Sequence, residues 1–356
     1  MTDLDHEEII VRTGARSGLP VIIAVHSTAL GQAVGGCRLW RYGGWRDGLE
    51  DALRLSAGMT RKCAVAGLAN GGGKTVIAVP EGTTLDSARR AEALRDVGDL
   101  IASLHGRYAT GPDAGTSPQD MVVIGERTEH VFCKPPQQGG SGDSSPHTAT
   151  GVVAALRATC ARVHGSPDLG QRRLAIAGLG SVGGHLARQL AAAGAELLVS
   201  DIDPGKRALA AELGADWAEP DEIITAEVDV LVPAALGGVL TSDIVPRLRC
   251  AAVAGPANNQ LAEPGVAEQL HQRGILWVPD YVVGAGGVIY ALAVELHRDT
   301  TETALARVQG IADTIVLLLD AAERAGADPA QAALELALAR LSAATRPPRH
   351  QPGGGR

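Results

Sequence analysis

The hexapeptide Gly178-Leu179-Gly180-Ser181-Val182-Gly183 follows the apolar run Leu174-Ala175-Ile176-Ala177 and leads into a helical pattern. The next apolar run, Glu196-Leu197-Leu198-Val199-Ser200, ends at Asp201. Strand, glycine turn, helix, strand and carboxylate in this order describe a dinucleotide-binding βαβ unit. Gly178 permits the tight turn, Gly180 lets the backbone approach a pyrophosphate, and Gly183 lets the helix close on its strand. The helix N-terminus turns amides and a positive dipole toward the phosphates. Asp201, 23 positions after Gly178, is placed to accept from both ribose hydroxyls. It repels the extra phosphate of NADP, so the expected cofactor is NAD.

A second set of polar residues lies upstream. Lys62 and Lys74 stand twelve positions apart in Met59-Thr60-Arg61-Lys62-Cys63-Ala64-Val65-Ala66-Gly67-Leu68-Ala69-Asn70-Gly71-Gly72-Gly73-Lys74, and Asp113 follows in Gly111-Pro112-Asp113. Taken alone, the lysines read as surface charges and Asp113 as a turn residue. The triple glycine weakens any regular element and calls for a reason such as close approach of the backbone to a ligand, as in a tight active-site floor.

Positioning such residues requires two α/β units. In the first, 21–25 and 75–79 read as strands and 49–62 and 87–104 as helices; in the second, strands at 229–232, 251–254 and 275–278 complete a doubly wound sheet. Small and polar residues over 137–146 mark a linker or mobile loop. Helical patterns at 288–297, 304–325 and 329–343 follow. The expected organisation is a substrate-binding domain over 1–140, a Rossmann-type domain over 141–325 with the active site in the cleft between them, a returning helix over 326–345, and an unstructured tail over 346–356.

Composition narrows the partners. A net charge of −8 with dispersed Lys and Arg gives no footprint for nucleic acid. The acidic N-terminal residues and the lack of a long apolar run predict a cytoplasmic protein without a membrane segment. The cysteines at 37, 63, 133, 160 and 250 show no metal-ligand spacing and read as buried thiols, and no metal is expected. With only 3% aromatic residues, the core must be aliphatic.

The ordered blocks Gly35-Gly36-Cys37-Arg38, the stretch from Met59 to Lys74, Gly111-Pro112-Asp113, Ser145-Pro146-His147-Thr148, the glycine turn, Ala254-Gly255-Pro256-Ala257-Asn258-Asn259-Gln260-Leu261 and Pro279-Asp280-Tyr281-Val282-Val283-Gly284-Ala285-Gly286-Gly287 resemble the family of glutamate, leucine, phenylalanine and valine dehydrogenases. The branched-chain and aromatic amino acid members are the most similar. The resemblance runs from about Ala29 to about Leu341. It implies reversible oxidative deamination of an L-amino acid to its 2-oxo acid and ammonia, in a homo-oligomer assembled through the 1–140 domain, which thus serves as substrate-binding and oligomerisation domain.

The resemblance further implies that Lys62 grips the substrate carboxylate with help from the backbone at Gly35, that Lys74 acts on water and the carbonyl oxygen, and that Asp113 carries protons to and from the amino group. Two ammonium groups in one cleft raise each other's charging cost, and the amine that loses its proton is assigned to Lys74. Toward the cofactor the pattern carries over Thr148 and Asn258 near the nicotinamide, Ala235 and Leu236 beside the ring, the glycine-turn amides at the pyrophosphate, and Asp201 with Ile202 at the ribose. Arg38 is open to two readings, a residue facing the cleft or a structural ion pair.

Where glutamate enzymes place a cation and a hydroxyl, this sequence has Val34 and Ala291, which would leave a second carboxylate without a partner. An apolar substrate side chain is expected, and the small groups at Gly111, Val288 and Ala291 favour a bulky or aromatic one. Cys37, Ala235 and Gly284 depart from the usual threonine, cysteine and asparagine. The substitution at Gly284 leaves room for an alternative, an unusual amino or imino acid of specialised biosynthesis. A non-catalytic dinucleotide sensor has no need of Lys62, Lys74 and Asp113 together. A hydroxy acid enzyme usually needs a histidine base paired with an acid, and His147, the nearest histidine, reads as a solvent-facing linker residue.

Overall fold

Runs of β-branched and aliphatic residues build two sheets in this computed structural model, which describes residues 5–263 and 265–345. The expected tail, 346–356, lies outside the described residues. The first sheet comprises β1 (Glu8–Thr13), β2 (Pro20–Ser27), β3 (Ala33–Tyr42), β4 (Gly71–Pro80) and β5 (Tyr108–Pro112), in the order β1-β2-β4-β3-β5. Strands β3, β4 and β5 run parallel, whereas β1 and β2 are joined antiparallel at the edge. Helix α1 (Trp45–Val65) covers one face, and α2 (Ser87–Ala102) with α3 (Pro118–Gly125) covers the other.

The strand period of two sorts the side chains. Ile22, Ala24, Val76 and Ala78 pack with Ala52 of α1, and Val21, Ile23, Ile77 and Val79 pack with Leu94 and Val97 of α2. Lys74 shares the parity of Val76 and so projects on the α1 side.

Helix α4 (Ser145–His164) leads into the second sheet, formed by β6 (Arg173–Ala177), β7 (Glu196–Ser200), β8 (Asp216–Trp217), β9 (Val230–Pro233), β10 (Ala252–Val253) and β11 (Leu276–Trp277), with α5 (Ser181–Ala192), α6 (Arg207–Leu213) and α7 (Val266–Gln272) as crossovers. Its pairs are all parallel and its order is β11-β10-β9-β6-β7-β8. That is the doubly wound dinucleotide topology, with the switch point between β6 and β9.

The chain continues through α8 (Asp280–Val283), α9 (Gly286–Ala291), a π turn over Leu292–Leu296, α10 (Thr301–Gln309), α11 (Ile311–Ala325) and α12 (Pro329–Thr345). One buried apolar cluster runs from Cys63, Ala64 and Val65 of α1 through α4, α9 and α11 to Leu174 and Ile176 of the second sheet. Helix α12 returns to α1, where the Arg340 guanidinium donates to the carbonyls of Ala64 (2.6 Å) and Val65 (2.7 Å). A cation thus caps the negative end of α1. Among the described residues no helix is long and apolar enough to cross a membrane.

Several expectations are revised. The triple glycine lies inside β4, which begins at Gly71. Strands β1 and β3 carried no sequence expectation, β3 because Gly35 and Gly36 interrupt its apolar pattern. The helix expected over 304–325 is broken at Gly310 into α10 and α11, and the one expected over 288–297 gives way to the π turn. Cys250 is only partly buried, unlike the other four cysteines.

Candidate active site

Asp113 leaves the end of β5 beside Gly36, where a Cβ would stand 2.6 Å from the Asp113 Cβ; the bare backbone lets the carboxylate reach across. Its Oδ2 lies 2.8 Å from Lys74 Nζ on β4 and 2.8 Å from Arg38 Nε on β3. No donor among the described residues reaches Oδ1. The Lys74 side chain is only 6% exposed. Burial pushes the Asp113 pKa up, but the charges and hydrogen bonds of Lys74 and Arg38 outweigh it and hold the carboxyl at about 2. Arg38 forms ion pairs at both ends, with Asp113 at 2.8 Å and with Asp51 at 2.8 Å, and reaches the cavity only through Asp113.

These groups border a cavity of about 130 Å³ between the halves, walled by Met59, Pro112, Phe132, Cys133, Val288 and Ala291, with the backbone of Gly35, Gly36 and Gly287. Lys74 and Asp113, already paired, are its charged lining residues. Lys62 sits one helical turn beyond Met59 and is partly exposed. Burial lowers its pKa and the Asp280 charge opposes this, with the Lys74 charge adding to the depression. The crowding of two amines expected from sequence is thus felt at Lys62.

Two substrate-pocket expectations change. Val34 is fully buried in the apolar cluster with Cys63 and Ala64 and does not line the cavity. Gly111 leaves its space to the Phe132 ring, into which a Cβ at 111 would run. The triple glycine is likewise filled by protein. Added Cβ atoms would meet the Ser27 carbonyl at Gly71, the Thr60 backbone at Gly72, and the Tyr108 ring 2.6 Å away at Gly73. Gly35 meets the Gly73 carbonyl in the same way. The floor is tight because strand, helix and ring interlock.

At the second sheet, Gly178 adopts φ +116° in contact with Ala235, a conformation open to glycine, and a Cβ at Gly183 would enter the Gly178 carbonyl. At Gly180 a Cβ would meet nothing within 4 Å, which leaves the face open for a pyrophosphate. Leu179 carries the turn to Ser181 and Val182 at the start of α5. Asp201 accepts from the amides of Leu179 (2.7 Å) and Asp203 (2.9 Å), which fixes the acid against the turn. A cavity of about 210 Å³ joins Gly178, Asp201, Ile202, Ala235 and Leu236 at the strand ends. Ile202 and Leu236 are 86% and 75% exposed, uncovered apolar walls of the kind an adenine or nicotinamide ring covers. These residues fit a dinucleotide. Asn258 is exposed on the loop after β10, and Thr148, whose hydroxyl donates to the Ser144 carbonyl at 3.0 Å, packs against Gly287.

Sequence reasoning missed Met59, Phe132, Cys133, Asp280 and Glu295. Phe132 carried a signal as the single phenylalanine of the chain. Asp280, buried, accepts from the Gln260 amide at 2.9 Å, and burial raises its pKa. Glu295 Oε1 in the π turn accepts from the amides of Cys133 (2.8 Å) and Ser141 (2.8 Å) and from the Ser141 hydroxyl (2.6 Å). The linker read as a mobile loop is held at this carboxylate. His147 lies in the first turn of α4, stacked on Tyr290 at 3.4 Å, and is not a solvent-facing linker residue. At Gly284, φ is −84° and a Cβ would find the Asp280 and Pro256 carbonyls at 3.2 Å, so the backbone does not demand glycine there.

Comparison with known proteins agrees with this geometry. Residues 6–130 match the model of the Glu/Leu/Phe/Val dehydrogenase dimerisation domain, and 202–347 that of glutamate/leucine/phenylalanine/valine dehydrogenase. Leucine dehydrogenase of Bacillus cereus is 41% identical over 95% of this chain and 91% of its own length. Phenylalanine dehydrogenase of Lysinibacillus sphaericus is 42% identical over 86% and 81%. The crystal structure of L-tryptophan dehydrogenase from Nostoc punctiforme superposes with a TM-score of 0.82 at 35% identity, covering 96% of this chain and 98% of that one. The chain belongs to the Glu/Leu/Phe/Val dehydrogenase family of oxidoreductases.

Proposed function

We propose that this enzyme catalyses NAD-dependent, reversible oxidative deamination of an apolar L-amino acid to its 2-oxo acid and ammonia. The observation that carries the reading is the Lys74–Asp113 pair at 2.8 Å in a cavity whose other walls, apart from Ser144, are apolar side chains and glycine backbone. The open face of Gly180, the Asp201 carboxylate held against the glycine turn and the uncovered Ile202 and Leu236 support NAD as cofactor. When bound, the dinucleotide supplies the hydride acceptor.

Lys62, with the backbone at Gly35, binds the substrate carboxylate, and the incoming negative charge favours the ammonium form that burial disfavours. That ion pair orients the α-carbon. The free Oδ1 of Asp113 accepts a proton from the amino group, and Lys74, touching Oδ2, holds the water that attacks the imine carbon and exchanges its proton. Thr148 and Asn258 border the nicotinamide end, and Ala235 and Leu236 flank the ring. Residues 1–140 serve as the substrate half and 141–325 as the dinucleotide half, with a homo-oligomer formed through the matched dimerisation domain.

Among the described residues a second carboxylate on the substrate would find no free cation beside Phe132, Val288 and Ala291, which supports leucine-like or aromatic side chains. Phe132 occupies the room expected at Gly111, so selection between aliphatic and aromatic substrates rests on Phe132 with Val288 and Ala291. The test is a panel of 2-oxo acids with ammonia and NADH, followed by the absorbance of the reduced nicotinamide. Ammonia-dependent oxidation with apolar oxo acids is expected. Turnover without ammonia, or a preference for a dicarboxylic oxo acid, contradicts the reading.

A further inference from the structure

Behind Asp113 lies a line of alternating charges that the reaction as described does not use. Arg38 Nε bonds Asp113 Oδ2 at 2.8 Å while its NH1 bonds Asp51 Oδ2 at 2.8 Å on α1. The Tyr42 hydroxyl donates to the same Asp51 oxygen at 2.7 Å, and Arg54 pairs with Oδ1 at 2.6 Å. Arg38 is thus gripped at both ends by carboxylates, with its side chain only 22% exposed. Lys74 and Arg38 saturate one carboxylate oxygen of Asp113 and leave the other unclaimed.

We propose that Arg38 is a positioning residue for the reaction, a fixed second cation that turns Asp113 Oδ1 toward the substrate amine and keeps the carboxyl ionised when Lys74 gives up its proton. The inference rests on the assignment of Asp113 as proton carrier. During turnover the Lys74 charge is transient, because that amine exchanges protons with water, so a carboxylate held by Lys74 alone would lose its counter-charge at that step. A guanidinium does not deprotonate, and its Nε and NH1 hold two carboxylates in fixed directions. The other groups acting on Asp113 are the Lys62 ammonium from α1, the Cys37 thiol on β3 and the Tyr108 hydroxyl on β5. Burial raises the pKa of the thiol to about 12 and pushes that of the hydroxyl up as well, so neither titrates in the working range.

The experiment compares pH profiles of kcat and kcat/KM for deamination in wild type, Arg38→Gln, Arg38→Lys, Tyr42→Phe and Asp113→Asn, with thermal melting of each. Arg38→Gln is expected to lower kcat by about ten- to a hundredfold and to move the acid limb to higher pH, since Asp113 then takes up a proton more readily. KM for the dinucleotide should stay within about twofold. Arg38→Lys should recover the acid limb but only part of the rate, and Tyr42→Phe should show a smaller loss of the same kind with a native melting curve. A uniform drop in kcat with superimposable profiles in both Arg38→Gln and Tyr42→Phe overturns the proposal while leaving Asp113 its role. Undiminished turnover in Asp113→Asn overturns both.

Discussion

In the first sheet the missing side chains of Gly35, Gly72 and Gly111 are replaced by atoms of Gly73, Thr60 and Phe132, whereas beside the second sheet Gly180 leaves an opening that no protein atom enters. The same residue type thus closes the floor of one half and, at Gly180 between the tightly packed Gly178 and Gly183, opens the face of the other. The substrate half is a packed floor that aims two side-chain charges, Lys74 and Asp113, at a small cavity, with Arg38 paired to Asp113 behind them. The dinucleotide half offers backbone amides and a helix end to a ligand that provides the missing contacts. The difference follows from the ligands. Proton exchange demands fixed side chains of matched affinity, and a pyrophosphate demands only unobstructed amides.

Substitutions can break this contrast. The largest effect is expected from Lys74→Ala, a loss of about a thousandfold or more in kcat with dinucleotide affinity unchanged by titration calorimetry. Weakened cofactor binding in that variant would instead merge the two halves into one functional unit. Gly72→Ala drives a methyl into the Thr60 backbone and is expected to cost about 3 kcal/mol of stability by denaturant unfolding. Gly180→Ala should leave stability unchanged and weaken dinucleotide binding about tenfold by crowding the pyrophosphate. If both alanines destabilised alike, glycine would play one role in the molecule and the comparison would fail.

Two smaller effects sharpen it. Glu295→Gln removes the charge that gathers two donors from Ser141 of the linker and one from Cys133 before it, at an expected cost of about 1 to 2 kcal/mol in thermal melts. Asp113, with a folded pKa of about 2 against an ordinary 3.8, contributes stability that is present above pH 3.8 and lost as the pH falls through about 2. The advantage of wild type over Asp113→Asn in acid unfolding should shrink across that window.

The second half was the more legible in sequence, and for a physical reason. The roles of Gly178, Gly180 and Gly183 are set within six residues, and Asp201 is one crossover away, so local spacing determines the geometry. The parallel order around the switch point then follows from the alternation of strands and helices. The floor of the first half depends on partners remote in the chain. Gly72 meets Thr60 on α1, Gly111 meets Phe132 beyond α3, and Cys133 meets Glu295 of the π turn, 162 residues away. No spacing rule announces these contacts. The triple glycine therefore drew notice for the right reason, a close approach, but the approaching atoms belong to the protein itself. Arg38 was open to two readings because its partners Asp113 and Asp51, one lining the cavity and one behind it, are remote in the chain.

The alternating row of Arg54, Asp51, Arg38, Asp113 and Lys74 holds three cations and two carboxylates, and Lys62 stands nearby, in a chain whose formal net charge is −8. An anionic oxo acid in bulk solvent meets a repelling surface and, only within a few ångströms of the floor, an attracting one. At a screening length of about 8 Å the far field is damped and the near field persists. Added salt should therefore speed the capture of substrate at first, the reverse of what a uniformly basic entrance would do.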